Sequence, residues 1–151
     1  MAFNEFRSKR LLEARHLQVA ALVHRQGLAG REILLITSRQ SRRWVLPKGW
    51  PHPGLSLAQS ALQEAWEEAG VRGVAQEEAI GRYGYAKRIG RHRHRPCDVL
   101  VFPVRLVLQS DAWPEASERA LDWVTPLEAS RRVAESELAA LLHGLDHLLA
   151  G

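Results

Sequence analysis

Glu64, Glu67 and Glu68 stand at offsets of three and four in one short segment. On a helix those offsets bring all three carboxylates to one side. Like charges so placed oppose helix formation by roughly 0.2–0.5 kcal/mol per pair. No basic residue inside the segment offsets them, and Arg72, four beyond Glu68, lies past Gly70. A carboxylate cluster without cationic neighbours suits a hard divalent ion. Magnesium takes oxygen ligands and keeps waters that a phosphate can displace. Taken alone, the triplet reads as a solvated acidic face on a surface helix, and the loop in front of it changes that reading.

Two elements must position these carboxylates. Pro47, Gly49, Pro51, Pro53 and Gly54 crowd around Trp50 and His52, so that stretch reads as a bent loop. A helix follows. Ser56 is a good N-cap with Gln59 three residues on, as in a capping box. Ala58, Ala61, Leu62, Ala65 and Ala69 recur at helical spacing, and Gly70 is the expected stop.

Loop and helix together resemble the box of the Nudix hydrolases. That pattern is Gly, five residues, Glu, seven residues, then Arg-Glu-apolar-any-Glu-Glu-any-Gly-apolar. Gly49 falls on the first glycine, and Glu64, Ala65, Glu67, Glu68, Gly70 and Val71 match in register. The early glutamate is Leu55 here and the arginine is Gln63. In the family these two look like a pair bracing loop against helix, so their joint loss is coherent.

The resemblance implies an α/β fold, the Nudix α/β/α sandwich, with a mixed β-sheet flanked by helices over about residues 17–149. It implies hydrolysis of a nucleoside diphosphate, or another diphosphate, linked to a variable group, with Mg2+ or Mn2+ as cofactor. Glu67 and Glu68 are then metal ligands, and the Gly49 carbonyl is a further one. Glu64 is a ligand or the base that activates water, and Glu115 or another loop carboxylate is a second candidate for the base. Such ions and carboxylates answer the chemical problem: a phosphoanhydride resists hydroxide because its oxygens repel it.

Cationic residues supply candidates for substrate binding. Lys48 sits beside the loop glycine, and Arg39, Arg42 and Arg43 precede the loop. The most basic run spans 87–95; its Arg91, Arg93 and Arg95, with His92 and His94, suit a phosphate-rich ligand. The run would equally serve as a solvated hairpin loop. Trp50 could stack on a base or cover the loop. His143 and His147 lie four apart on the last helix with no third ligand in sight, and read as surface histidines.

Within the family, Leu34 to Arg39, Trp44 to Gly49, and Trp113-Pro114-Glu115 with Arg119 and Trp123 loosely resemble the diphosphoinositol and diadenosine polyphosphate hydrolases. The substrate expected is a polyphosphorylated small molecule. Alternatives are ADP-ribose, a nucleoside triphosphate or an RNA 5′ end, or a non-catalytic module that senses a nucleotide.

The remaining chain reads as strands and helices around this unit. Leu17 to His24 alternates and forms a strand buried on at least one face; Glu32 to Thr37 pairs with it across the turn at 27–30. Trp44 to Leu46 is a short strand, 71–78 a connection, and Ile80 to Lys87 a strand with Tyr83 and Tyr85 on one face. Asp98 to Leu108 is a strand that Pro103 makes an edge or bulged element. Thr125, Pro126 and Glu128 open a helix, and Ser136 to Leu149 is a last amphipathic helix.

The 151 residues suit one domain with a substantial core. No apolar run is long enough for a membrane span, and the first residues lack the apolar stretch of a signal peptide. Residues 1–15 read as a charged arm or short helix. One cysteine, Cys97, excludes an internal disulfide and fits a reducing, cytoplasmic setting. Net charge is +4, from 21 basic and 17 acidic residues, which suits an anionic partner; nucleic acid is possible but not favoured over a metabolite. A monomer or homodimer is expected.

Overall fold

A computed structural model describes residues 16–149; the arm expected over residues 1–15 lies outside them. The sheet is built on β1 (His16–Gly27). One edge of β1 pairs in parallel with β7 (His94–Gln109), from His16 opposite Cys97 to His24 opposite Arg105. Its other edge pairs antiparallel with β4 (Lys48–Gly49) and then with β2 (Gly30–Thr37). Farther out, β2 carries β3 (Trp44–Val45) and β8 (Leu121–Val124), while β7 carries β5 (Val71–Ala75) and β6 (Gly81–Arg88).

A strand held in a parallel ladder and covered on both faces needs apolar side chains on both. Val19, Ala21 and Val23 face α1 (Leu57–Ala69), together with Leu34, Ile36, Phe102 and Val104. Ala20 and Leu22 face the opposite layer, formed by α2 (Pro126–Arg132), α3 (Ser136–His143) and α4 (Leu145–Leu149). The strand expected over residues 17–24 to be buried on at least one face is buried on both. Leu22 alone, fully buried, contributes about 1.5–3 kcal/mol by leaving water. The architecture is the expected mixed sheet between two helical layers.

Helix ends follow the local sequence. Ser56 accepts from the Gln59 amide at 3.1 Å. Gly70 ends α1 in the left-handed region (φ 67°), and its N–H is satisfied by the carbonyls of Ala65 and Trp66. A side chain at Gly70 would also collide with the Trp113 ring. Thr125 caps α2 through the Glu128 amide at 3.1 Å, with Pro126 in the first turn.

Three elements differ from expectation. The connection at 71–78 contains β5, whose order comes from pairing with β7 rather than from its own short, glycine-containing sequence. Pro103 lies in an interior strand, not an edge. It is tolerated because β7 changes partner there: β6 pairs as far as Val101 and β5 begins at Val104. The Pro103 carbonyl faces that gap and accepts from the Gln76 amide at 2.9 Å, so the missing N–H points where the ladder is already broken. The last helix divides at Gly144 into α3 and α4, with Leu138, Leu142 and Leu145 buried and both His143 and His147 exposed.

Among the described residues, no helix is long and apolar enough to cross a membrane.

Candidate active site

The loop between β3 and α1 is pinned at several points. The Pro47 carbonyl accepts from the Ala21 amide at 2.9 Å, and Lys48 and Gly49 pair with Ala20 and Val19 of β1. The His52 amide donates to the buried Ser60 hydroxyl at 2.9 Å, and the His52 carbonyl accepts from Leu55 at 3.1 Å. This stitching presses the Gly49 backbone against the Glu64 carboxylate. A Cβ at Gly49 would occupy the space that carboxylate fills.

The three glutamates of α1 have separate fates. Glu64 lies 2.6 Å from His52, Oε2 to Nε2. Burial raises its pKa, and the His52 hydrogen bond works against that rise. Glu67 accepts from Gln63 Nε2 at 3.1 Å. Glu68 accepts from the Lys48 amide through Oε1 at 2.9 Å and from Arg119 Nη2 through Oε2 at 2.8 Å. Burial pushes its pKa up to about 7 despite Arg119.

Helix α1 has no cation of its own, but the fold brings one from far along the chain. Arg119 is 8% exposed and donates to Glu68, to Glu115 (2.9 Å) and to the Thr37 carbonyl (3.1 Å). The segment before it docks on the end of α1. Trp113 Nε1 donates to the Glu68 carbonyl, the Glu115 amide to the Glu67 carbonyl, and the Ser110 amide to the Gly70 carbonyl. Helix carbonyls that would otherwise lack partners are satisfied in this way. The expectation of a carboxylate face without cationic neighbours holds within the helix and fails in the folded chain.

Beside these groups lies a cavity of about 1260 Å³, and Glu67 is not among the residues that line it. Glu64, Glu68, Glu115 and Arg119 lie on its wall with Gly49, Trp50 and His52, and Arg39, Arg43, Lys48, Lys87 and Arg88 line it too. Lys48 places Nζ 4.8 Å from the Tyr85 ring, and burial lowers its pKa. Tyr85 is fixed by donating to Gln18 at 2.5 Å. Arg39 pairs with Glu115 (3.8 Å) and Glu118 (3.5 Å). Of the arginines expected at the substrate, Arg91 and Arg93 sit on the exposed β6–β7 hairpin and do not line the cavity.

His52, Glu64 and Glu67 place one donor atom each within 4.8 Å of one another. Two carboxylates, an imidazole and a glycine cradle without a Cβ form a donor set that fits a divalent ion. Glu68 stands beside this cluster with its oxygens on Lys48 and Arg119. Neither His52 nor Arg119 stands out in the sequence as a site residue, Arg119 belonging only to a loose pattern with Trp113 and Trp123. The sign of His52 was its place between Pro51 and Pro53 in the loop; Arg119 carried no local sign.

A family model described as NUDIX domain matches residues 14–144. Nudix hydrolase 21, chloroplastic, of Arabidopsis thaliana is 35% identical over 99 residues, 65% of this chain and 48% of the relative. The chain thus spans about half the length of the curated relatives it matches. Among solved structures, the Ap4A hydrolase of C. elegans superposes with a TM-score of 0.65 at 18% identity, covering 89% of this chain and 98% of that one. The NUDIX domain of Shewanella oneidensis NrtR, complexed with ADP ribose, gives a TM-score of 0.67 at 17% identity, covering 89% and 88%. At such identities these structures speak for the fold. The match over most of the chain, with the loop-and-helix unit at its centre, places this protein in the NUDIX domain family.

Proposed function

We propose that this chain is a divalent-metal-dependent hydrolase of phosphoanhydride bonds in a polyphosphorylated small molecule, of the dinucleoside polyphosphate or diphosphoinositol polyphosphate type. One observation carries the reading: Glu64 and Glu68 of α1 and the cations Arg39, Arg43, Lys48, Lys87 and Arg88 border a single cavity. A bond between two phosphates needs that combination, with charge neutralised along the chain of phosphates and a nucleophile aligned at one of them.

Glu64 and Glu67 would hold Mg2+ or Mn2+, with the Gly49 carbonyl beside them and Glu68 joining once a bound ion competes with Arg119. Such an ion neutralises phosphate oxygens and lowers the pKa of a bound water. The chain's own residues do the rest. Arg39 and Arg43 gather the distal phosphates, and Lys48 donates from the cavity floor beside Tyr85. Glu64 or Glu115 would accept a proton from the attacking water. Cytoplasmic location and a single domain over 1–151 belong to the same reading.

The experiment is phosphate release across a panel of diadenosine polyphosphates, an inositol pyrophosphate, ADP-ribose, nucleoside triphosphates and 5′-triphosphate RNA, with Mg2+, with Mn2+ and with chelator. Metal-dependent turnover of the first two classes supports the reading. Turnover of ADP-ribose alone moves the substrate to the ligand seen with NrtR. One observation favours a second reading, a nucleotide-sensing module: Arg119 already neutralises Glu68. Tight ligand binding without turnover in any metal would select it.

A further inference from the structure

We infer that His52 is itself a ligand of the ion held by Glu64 and Glu67, so that the site is a mixed nitrogen–oxygen site favouring a first-row transition ion over Mg2+. This rests on the metal-dependent reading above.

The geometry comes first. Ligands of one ion sit about 2.0–2.6 Å from it, so any two lie no more than about 4–5 Å apart. The donors of His52, Glu64 and Glu67 meet that condition, all within 4.8 Å. His52 Nε2 is the member in direct contact with a carboxylate, 2.6 Å from Glu64 Oε2.

The second ground is rigidity. A loop side chain that only met Glu64 by chance would need no fixed backbone. His52 is fixed on both sides of its Cα, its amide on the Ser60 hydroxyl and its carbonyl on the Leu55 amide. Pro51 and Pro53 flank it and restrict the chain further. Ser60 lies on α1, one turn before Glu64, so the imidazole and the carboxylates ride on one scaffold. A ligand set placed in this way costs little to organise when the ion arrives.

The third ground is chemistry. Mg2+ demands oxygen donors in near-octahedral array and seldom takes imidazole. Imidazole suits transition ions, and site affinity rises from Mn2+ along the first row. A cluster of carboxylates alone would leave Mg2+, the more abundant ion, as its natural occupant. One nitrogen among the oxygens shifts that choice.

A hydrogen bond between His52 and Glu64 would also satisfy the contact without an ion, so the test must observe the nitrogen directly. Mn2+ is bound to the protein and examined by pulsed electron paramagnetic resonance, with natural-abundance and with 15N-labelled histidine. The expected result is 14N modulation from one imidazole that converts on labelling, disappears in His52→Gln and persists in His94→Gln. Calorimetry is expected to show His52→Gln weakening Mn2+ binding at least about tenfold while Mg2+ binding changes little.

Tight Mn2+ binding with no histidine coupling overturns the inference and leaves the oxygen-only hydrolase site standing. Coupling that survives in His52→Gln overturns it as well. Failure of wild type to bind any divalent ion overturns both this inference and the proposed function. If His52→Gln does not fold, the isotope exchange in wild type still shows whether a histidine nitrogen binds the ion, and loss of the coupling in His94→Gln would reassign it and overturn the inference.

Discussion

Arg119 meets Glu68 at 2.8 Å across 51 positions of sequence, with 8% of the arginine and 10% of the glutamate side chain exposed. A charge pair this buried is a weak source of net stability, yet breaking it by removing one partner costs about 3–5 kcal/mol. Arg119→Met is therefore expected to destabilise the metal-free protein on that scale at pH 8. Adding Glu68→Gln to Arg119→Met should recover much of the loss, because the stranded carboxylate is gone. Urea unfolding of both single variants and the double variant gives the coupling. Additive losses would mean that the two side chains do not depend on one another.

Glu68 makes a second prediction through pH. Burial pushes its pKa up to about 7, so the fold favours the protonated form. That contribution is complete below the ordinary value near 4.5 and disappears as pH rises through 7. A displacement of this size corresponds to about 3 kcal/mol at most. The stability of metal-free Glu68→Gln relative to metal-free wild type is expected to rise from pH 5 to pH 8, and the metal-loaded variant is expected to lose most turnover. Burial also lowers the pKa of His24, so the difference between the two proteins is the quantity to follow. Parallel stability curves would show that Glu68 is ionised throughout.

What could be read in the sequence was local. Ser56, Gln59 and Gly70 mark both ends of α1 because caps are satisfied within a few residues of themselves. The apolar alternation of 17–24 marks β1 for a similar reason. Arg119 could not be read in that way, since the loop carrying it is placed by Trp113 and Ser110 meeting the end of α1. Pro103 misled because it was judged without its partners, and only the exchange of β6 for β5 makes an interior proline tolerable. His52 was visible in the loop, but its approach to Glu64, twelve positions on, depends on its amide meeting Ser60, eight positions on and one turn before Glu64 on α1.

Gly49 separates site geometry from stability. Nothing about its backbone requires glycine, but a Cβ there would displace the Glu64 carboxylate. Gly49→Ala is expected to lower kcat about 100-fold, as small misplacements of catalytic groups do. The midpoint of thermal unfolding should move little, because the neighbour that must give way is a side chain. A large drop in the midpoint with normal specific activity would place the constraint in the fold instead.

Lys48 and the hairpin arginines test which cations reach the substrate. Lys48 lines the cavity and lies over Tyr85, whereas Arg91 and Arg93 stand exposed outside it. Exposed charges act over roughly 8 Å at physiological salt. Lys48→Met is expected to raise KM at least about tenfold, corresponding to one charge-assisted hydrogen bond. Arg91→Ala with Arg93→Ala should change kcat/KM less than about threefold at that salt. The reverse order would show that the hairpin folds over the substrate.

Leu55 and Gln63 occupy the two positions where the box departs from its family pattern, and the structure gives that departure a consequence. Gln63 Nε2 donates to Glu67 Oε1 at 3.1 Å, one turn along α1. An arginine in its place would hold Glu67 with a full charge and compete with an ion for that oxygen. Gln63→Arg alone is therefore expected to weaken divalent-ion binding. Leu55 is 45% exposed on the loop, so Leu55→Glu alone costs little in burial. Together, the new glutamate offers the guanidinium another partner, releases Glu67 and restores ion affinity. Calorimetric titration of the four proteins in the cycle is expected to show a favourable coupling of at least about 0.5 kcal/mol. Strict additivity would mean that the two positions are independent and that the loop is braced by Ser60 and Pro47 alone.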